Sequence, residues 1–392
     1  MIDILNLNLK NKRVVIRVDF NVPLKNGIII DDFRIKESLK TIKYCLAEGA
    51  SIVLISHLGR PKGENIQGLS LDPISFLLED LLDVDVMFSN DCISKDSINL
   101  SAQMEPGEIH LLENLRFYNE EIENNVDFSK KLSLHGNVFI NDAFATCHRS
   151  HASNVGISKF INDKSLGFLI KKELKNIDKC INSASQPSAL ILGGAKVVDK
   201  IEFIENMIDK NDFILVGGAM AFSFLKAMGK NIGGQLIDKE NIITAKRLIE
   251  YADSQNVKII LPSDFVCAKN LSGEASWRIS SIEDIKNDEL GYDIGPETSM
   301  NFQMILSKAK TIIWNGPLGV TEIPAFSTGT QAVASTVIDQ TNLGTLSIIG
   351  GGDTASALKS YGLINGFTHI STGGGAFLHL LSGKKLPGID SI

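Results

Sequence analysis

LSIIGGGDT (346–354) is a short apolar run that breaks on three glycines and passes into an acid and a hydroxyl. The run reads as a buried strand of a parallel sheet, and the glycines as a tight turn into a helix. The same construction recurs in LGGAK (192–196), VGGA (216–219), WNGP (314–317) and STGGGA (371–376). Working outward, strands are predicted at 189–192, 213–216, 258–261, 311–314, 346–349 and 369–371, and in the first half at 14–18, 52–56, 109–112 and 138–141. Residues 34–48 carry Ile35, Leu39, Ile42 and Leu46 at helical spacing before Gly49 as a stop. Strand and helix in repeated alternation predict an α/β protein whose parallel sheets carry helices on both faces. With 392 residues the chain suits two domains. The best joint lies at 165–187, a lysine-rich helical stretch that ends in a loose polar run at Pro187.

Composition narrows the function. Thirty-nine basic against 46 acidic residues give a net charge of −7, which argues against a nucleic-acid coat or a membrane-surface binder. The five cysteines (Cys45, Cys92, Cys147, Cys180, Cys267) form no C-x-x-C pair and no disulfide framework, a pattern that fits a reducing compartment. The first residues lack the apolar core of a signal peptide, and residues 360–383, uncharged but holding six glycines, make a poor membrane span. The expectation is a cytoplasmic protein.

Ligands of open parallel sheets bind at the carboxyl ends of the strands. In the second half those ends carry glycine loops, which admit a ligand to the backbone and aim helix N-termini at an anion. Lys196, Lys200, Asp353 and Thr354 stand among them, which favours a nucleotide phosphate site. There is no P-loop, and G-x-G-x-x-A at 350–355 has no acid some 20 residues on to hold a ribose, so a dinucleotide site is discounted. The first half differs. Its strand ends carry Arg34, Arg60, Arg116 and Arg149 with His57, His148 and His151, a pattern for a small, multiply anionic substrate. Cys147, His148 and His151 lack a fourth ligand and a carboxylate behind them, so they are not read as a metal site. Cys147 itself admits two readings: a thiolate favoured by its basic neighbours, or a small packing residue.

At this point the chain resembles the phosphoglycerate kinase family over essentially its whole length. The resemblance rests on RVDFNVP (17–23), SHLGRP (56–61), ENLRFY (113–118), HRSHAS (148–153), GGAKVVDK (193–200), VGGAMAFSFL (216–225), DIGPET (293–298), WNGPLGV (314–320), GGGDT (350–354), STGGGA (371–376) and LPG (386–388). It implies two Rossmann-like domains joined by a helix and hinge: 1–170 for phosphoglycerate, 187–379 for nucleotide, 171–186 between them, and about 380–392 packing back on the first. It implies reversible transfer of the acyl phosphate of 1,3-bisphosphoglycerate to MgADP, giving 3-phosphoglycerate and MgATP, on domain closure in a monomer. By motif, Asp19, Asn21, Arg34, His57, Leu58, Gly59, Arg60, Arg116 and Arg149 would bind phosphoglycerate. Lys200, Gly217, Gly218, Glu322, Gly351, Gly352, Asp353 and Thr354 would bind nucleotide, with Asp353 at Mg2+. Arg34, Lys196 and the amides of Gly373, Gly374 and Gly375 would meet the migrating phosphoryl group. Ala145, Cys147 and His379 depart from the family pattern. A different small-molecule kinase, a dehydrogenase, or a silent nucleotide-binding relative are the rival readings. Retention of Arg34, Lys196, Lys200 and Asp353 together argues against them.

Overall fold

The structure, a computed structural model, describes residues 2–272 and 276–392. The chain forms two compact units, one of residues 1–174 with 385–392 and one of residues 175–384.

In the first unit a six-stranded parallel sheet is built from β1 (Arg13–Arg17), β2 (Ser51–Ile55), β3 (Val86–Ser89), β4 (Ile109–Leu112), β5 (Val138–Asn141) and β6 (Asp163–Leu166), in spatial order β3-β4-β2-β1-β5-β6. Successive residues of β1 serve opposite faces. Val14 and Ile16 pack with Ile35, Ile42, Ile74 and Leu78, whereas Val15 packs with Phe128, Leu132 and Ile157. Both faces are therefore covered, and the strands read as nearly unbroken apolar runs. Helix α1 (Phe33–Ala47) buries Ile35, Ile42 and Cys45 on one stripe. It ends as predicted at Gly49, whose φ of 78° lets Ala50 donate back to the Cys45 carbonyl. The last residues of the chain bond within this unit: Asn141 Nδ2 donates to the Gly388 carbonyl at 2.8 Å and Lys164 Nζ to that of Ser391 at 2.8 Å. Helix α2 (Phe168–Asn182) begins in this unit, its first amides received by Asp142 Oδ1 at 2.9 and 3.2 Å.

The second unit holds another six-stranded parallel sheet: β7 (Ser188–Leu192), β8 (Phe213–Val216), β9 (Lys258–Ile260), β10 (Thr311–Asn315), β11 (Leu346–Gly350) and β12 (His369–Ile370), in order β9-β8-β7-β10-β11-β12. Ala189, Ile191, Ile312 and Trp314 pack on Phe302, Val333 and Leu358 of the covering helices. The predicted strands lie within about one residue of those observed. The sequence reading omitted the edge strands β3 and β6 and a three-stranded antiparallel sheet, with Asp264–Ala268 between Trp277–Ser281 and Leu290–Ile294. Both edges are four residues long, and DKSL is half charged while VMFS is too short to show a period, so apolar periodicity does not mark them.

Candidate functional site

In the first unit the carboxyl ends of β4, β2, β1 and β5 are four neighbours in a row. Each delivers one part of the predicted anion site. Asp19 and Asn21 follow β1, His57 to Arg60 follow β2, Arg116 stands in the turn after β4, and Arg149 follows β5. Arg34, from the first turn of α1, puts Nη1 3.0 Å from Asp19 Oδ2 and 3.0 Å from the Asn21 carbonyl. Asn21 Oδ1 accepts from Gly59 N–H at 2.9 Å, and the Gly59 carbonyl accepts from Arg116 Nη1 at 2.7 Å. Asn21, Gly59, Arg116 and Arg34 are thus tied in one chain of bonds. Leu58 contributes differently. It is buried, and its amide and carbonyl are both engaged by the side chain of Asn114 at 3.1 and 2.7 Å. Arg60 is exposed and joins none of these bonds.

The electrostatics of the cluster follow from burial. Arg116 is pulled down to about 10 by burial and by Arg17 and Arg149, which still leaves it a full cation at neutral pH. Burial, then Arg17, Arg116, Arg34 and His151, holds His57 well below the usual imidazole range. His151 is lowered to about 3 by burial and the arginines Arg116, Arg17 and Arg149. Both histidines are therefore neutral at pH 7, and the positive charge is carried by guanidinium groups. Arg149 donates through Nε to His148 Nε2 at 3.1 Å. Cys147 is fully buried, with Sγ 3.4 Å from the Ala143 carbonyl, and burial pushes its thiol far up. Of its two readings the structure selects packing.

In the second unit the carboxyl ends of β8, β7, β10, β11 and β12 are likewise neighbours. Lys200 donates through Nζ to the Gly193 carbonyl at 2.8 Å and lies 3.5 Å from that of Asn315, where β7 and β10 end side by side. Asn315 Nδ2 donates to the Gly350 carbonyl at 2.9 Å, tying β10 to the loop that carries Asp353. Thr354 Oγ1 is buried and accepts from Gly316 N–H at 2.9 Å. Gly351 has a φ of 103° and leads into the helix α3 (Gly352–Ser360), with Asp353 exposed in its first turn. Gly373 precedes helix α4 (Gly374–Leu381). Gly374 lies beside this loop: a Cβ there would stand 3.6 Å from the Gly352 nitrogen. Lys196 is exposed.

Not every glycine loop opens toward a ligand. A Cβ on Gly193 would come within 2.0 Å of the Pro317 carbonyl oxygen, one on Gly316 within 2.3 Å of that of Gly193, and one on Gly218 within 2.7 Å of the Gly194 nitrogen. These glycines let strand-end loops touch one another. Gly217 is packed in the same way, against Leu318 and Ile294. Open space remains at Gly352. A cleft of about 460 Å³ is lined by Glu322, Pro324, Gln331, Asp353 and Tyr361 among others, a size suited to a small ligand. Its lining does not include Lys196, Lys200, Gly217 or Gly218.

The residues fit a magnesium–nucleotide: an exposed carboxylate oxygen donor at Asp353, backbone amides of an open glycine turn, and an ammonium on the adjoining strand ends. Sequence reasoning missed Arg17, Ser153, Glu121, Asn114 and Asn315 as positioning groups: their side chains bond to one another and to the turns that carry the predicted site residues. The signal present for Arg17 is a charge inside the buried run RVVIR.

Two parallel sheets with helices on both faces, one with arginines at its strand ends and the other with glycine turns, match the class of α/β phosphotransferases. The family model described as phosphoglycerate kinase matches residues 4–384, and the chain belongs to that family. Its relatives include the phosphoglycerate kinases of Finegoldia magna, 48% identical over 99% of this chain and 98% of that protein, and of Dictyoglomus turgidum, 46% identical over 99% and 97%. Among solved structures, phosphoglycerate kinase from Coxiella burnetii matches with a TM-score of 0.87 and 39% identity, and that from Pyrococcus horikoshii with 0.88 and 33%. Each match covers 100% of this chain and 98% of the other. The family's known function is glycolytic phosphoryl transfer, and the chain is a kinase of that family.

Proposed function

We propose that the first unit binds 3-phosphoglycerate or 1,3-bisphosphoglycerate through Asp19, Asn21, Arg34, the turn from His57 to Arg60, Arg116 and Arg149. In this reading the second unit binds ADP or ATP through Lys200, Gly217, Gly218, Glu322 and the loop from Gly351 to Thr354. One observation carries it: arginines and a histidine gather at the ends of four adjacent strands of one sheet, Arg116 among them buried and Arg34 held by Asp19, while amides, an ammonium and a carboxylate end the strands of the other.

The reaction joins two groups that are already ionised near neutral pH, the β-phosphate oxygen of ADP in one direction and a carboxylate in the other. No general base is needed, which accords with the weak basicity that burial and the neighbouring arginines impose on His57 and His151. Catalysis then rests on alignment and on neutralising charge in a loose, in-line transition state. Arg34, Lys196 and the amides at Gly373, Gly374 and Gly375 face the migrating phosphoryl group in this scheme, and turnover requires closure of the units about both substrates. Magnesium, when bound, offsets the charge of the nucleotide phosphates, and Asp353 would hold it. In this reading the protein acts as a cytoplasmic monomer on small molecules, with no nucleic-acid or membrane partner. A coupled assay with 3-phosphoglycerate and MgATP tests the reading. Turnover that needs both substrates and the metal is expected, and a purified, folded chain without it would overturn the assignment.

A further inference from the structure

Arg17 ends the strand RVVIR, follows three buried apolar residues and has no part in the scheme above. It is 1% exposed, and every arm of its guanidinium is engaged. Nε donates to Ser153 Oγ at 2.8 Å, Nη1 to the Val18 carbonyl, and Nη2 lies 3.0 Å from His57 Nδ1. A guanidinium has five donors and no acceptor. In this contact, therefore, His57 Nδ1 must be the acceptor. The alternative partner for a proton on Nδ1 is Asp19 Oδ1, and at 3.9 Å it is beyond hydrogen-bond reach. A proton on Nδ1 would lose Arg17 and gain nothing. Nε2 has no hydrogen-bond partner among the described residues and is not sealed from solvent.

We infer that Arg17 is a positioning residue that holds His57 as its neutral Nε2–H tautomer, so that His57 meets the anionic substrate with one aimed N–H and no charge. The inference rests on the assignment of this cluster to phosphoglycerate.

The charge of Arg17 is itself supported from behind. Ser153 Oγ donates its single proton to Glu121 Oε1 at 2.6 Å, and Ser153 N–H donates to Oε2 at 2.9 Å. The hydroxyl oxygen is thereby free to accept from Arg17 Nε. Glu121 is 0% exposed, so its carboxylate sits one hydroxyl away from the buried guanidinium as counter-charge. Donation thus runs outward from Arg17 on both sides, through Ser153 to Glu121 and directly to His57. The groups that act on His57 are Arg17 and Asp19 from the β1 end, Arg34 from α1, Arg116 from the turn after β4, and His151; burial and the four basic groups all disfavour a second proton on the ring.

The test uses the full chain with 15N-labelled histidine and long-range 1H–15N correlation, the His57 signals being identified by their loss in His57→Gln. Without substrate, the neutral Nε2–H pattern is expected between about pH 6 and 8. An Nδ1–H pattern, or an imidazolium at pH 7, overturns the inference. Arg17→Met combined with Glu121→Gln removes the buried charges as a pair. In that variant His57 should become a mixture of tautomers, and KM for 3-phosphoglycerate should rise about tenfold with a smaller change in kcat, since an aimed donor to an anion is lost. If the double variant does not fold, Ser153→Ala, which withdraws the Nε acceptor of Arg17 and one donor to Glu121 but keeps both charges, should move the tautomer ratio in the same direction. A folded variant that keeps the pure Nε2–H pattern removes Arg17 from the role. Calorimetry on the wild-type chain separates the two claims: absence of 3-phosphoglycerate binding with the tautomer intact would overturn the site assignment.

Discussion

Arg34 engages both Asp19 and the Asn21 carbonyl through one arm, Nη1, which leaves the rest of its guanidinium for a ligand. Lys196 is exposed. Neither residue has a structural duty comparable to that of Arg17, so substitution should be read in the chemistry. Arg34→Ala and Lys196→Ala are each expected to lower kcat about 100- to 1000-fold while weakening binding of either substrate far less, as measured by steady-state kinetics and calorimetry. A raised KM at near-normal kcat would instead assign them to ground-state binding. Cys147 behaves oppositely. Buried, with its thiol pushed far up by desolvation, it should resist a small alkylating reagent near pH 7 until the chain unfolds. Mass mapping should show Cys147 labelled no faster than the other four, and 3-phosphoglycerate should not alter its rate. Its basic neighbours in sequence do not make it reactive, because in the fold it points away from water.

Between elements, polar groups sealed in the core set local stability. His135 Nε2 lies 3.0 Å from the Cys92 carbonyl, which can only accept, so the ring carries its proton there and Nδ1 accepts from Ser101 Oγ at 2.7 Å. Ser101 has then given its proton, so His110 Nδ1 must donate to it at 2.9 Å and His110 Nε2 must accept from Ser89 Oγ at 2.7 Å. The two rings hold opposite tautomers, both neutral, and burial lowers each to about 4. In the unfolded chain they titrate near 6.5. Between those values the unfolded state binds more protons, so stability is complete above about pH 6.5 and is lost as pH falls through about 4. The slope over that window is of the order of 1 to 3 kcal/mol per pH unit for the pair. Urea midpoints at pH 7 and pH 5 check the slope, and NMR titration should find neither ring charging near 6.5. A second element-level contact is the reach of Asp142, at the end of β5, to the amides that open α2. Asp142→Ala removes that cap and should lower stability by about 1 to 2 kcal/mol in urea unfolding.

For the molecule as a whole, the two units present different residues at the strand ends of the same architecture, and the proposed function divides substrate and nucleotide between them. Hydrogen exchange of the full chain should separate them. 3-Phosphoglycerate is expected to slow exchange in the turns after β1, β2, β4 and β5, and MgADP in the turns after β7, β10 and β11. Protection of both sets by one substrate alone would contradict the division of labour. The cleft beside Glu322 and Asp353 places two exposed carboxylates where nucleotide is proposed to bind, so nucleotide affinity should depend on magnesium and fall when the metal is chelated.

By itself the sequence determined the class of fold, because alternation of β-branched runs with amphipathic segments is a local signal and glycine after a strand is a local necessity. It also singled out Arg34, Arg116, His57 and the Gly351–Thr354 loop as candidates, since chemistry in parallel sheets gathers at strand ends whatever the order of the strands. Tertiary structure alone decided which strand ends are neighbours, and hence that β4, β2, β1 and β5 share one edge. It decided that Gly193, Gly218 and Gly316 accommodate one another's backbones while Gly352 is left open. It brought Arg17 to Ser153 across 136 residues of chain, and Ser153 to Glu121. Such partnerships leave no periodic trace in sequence. A buried charge is stabilised by whichever group the fold sets against it, and that choice is made by packing at long range.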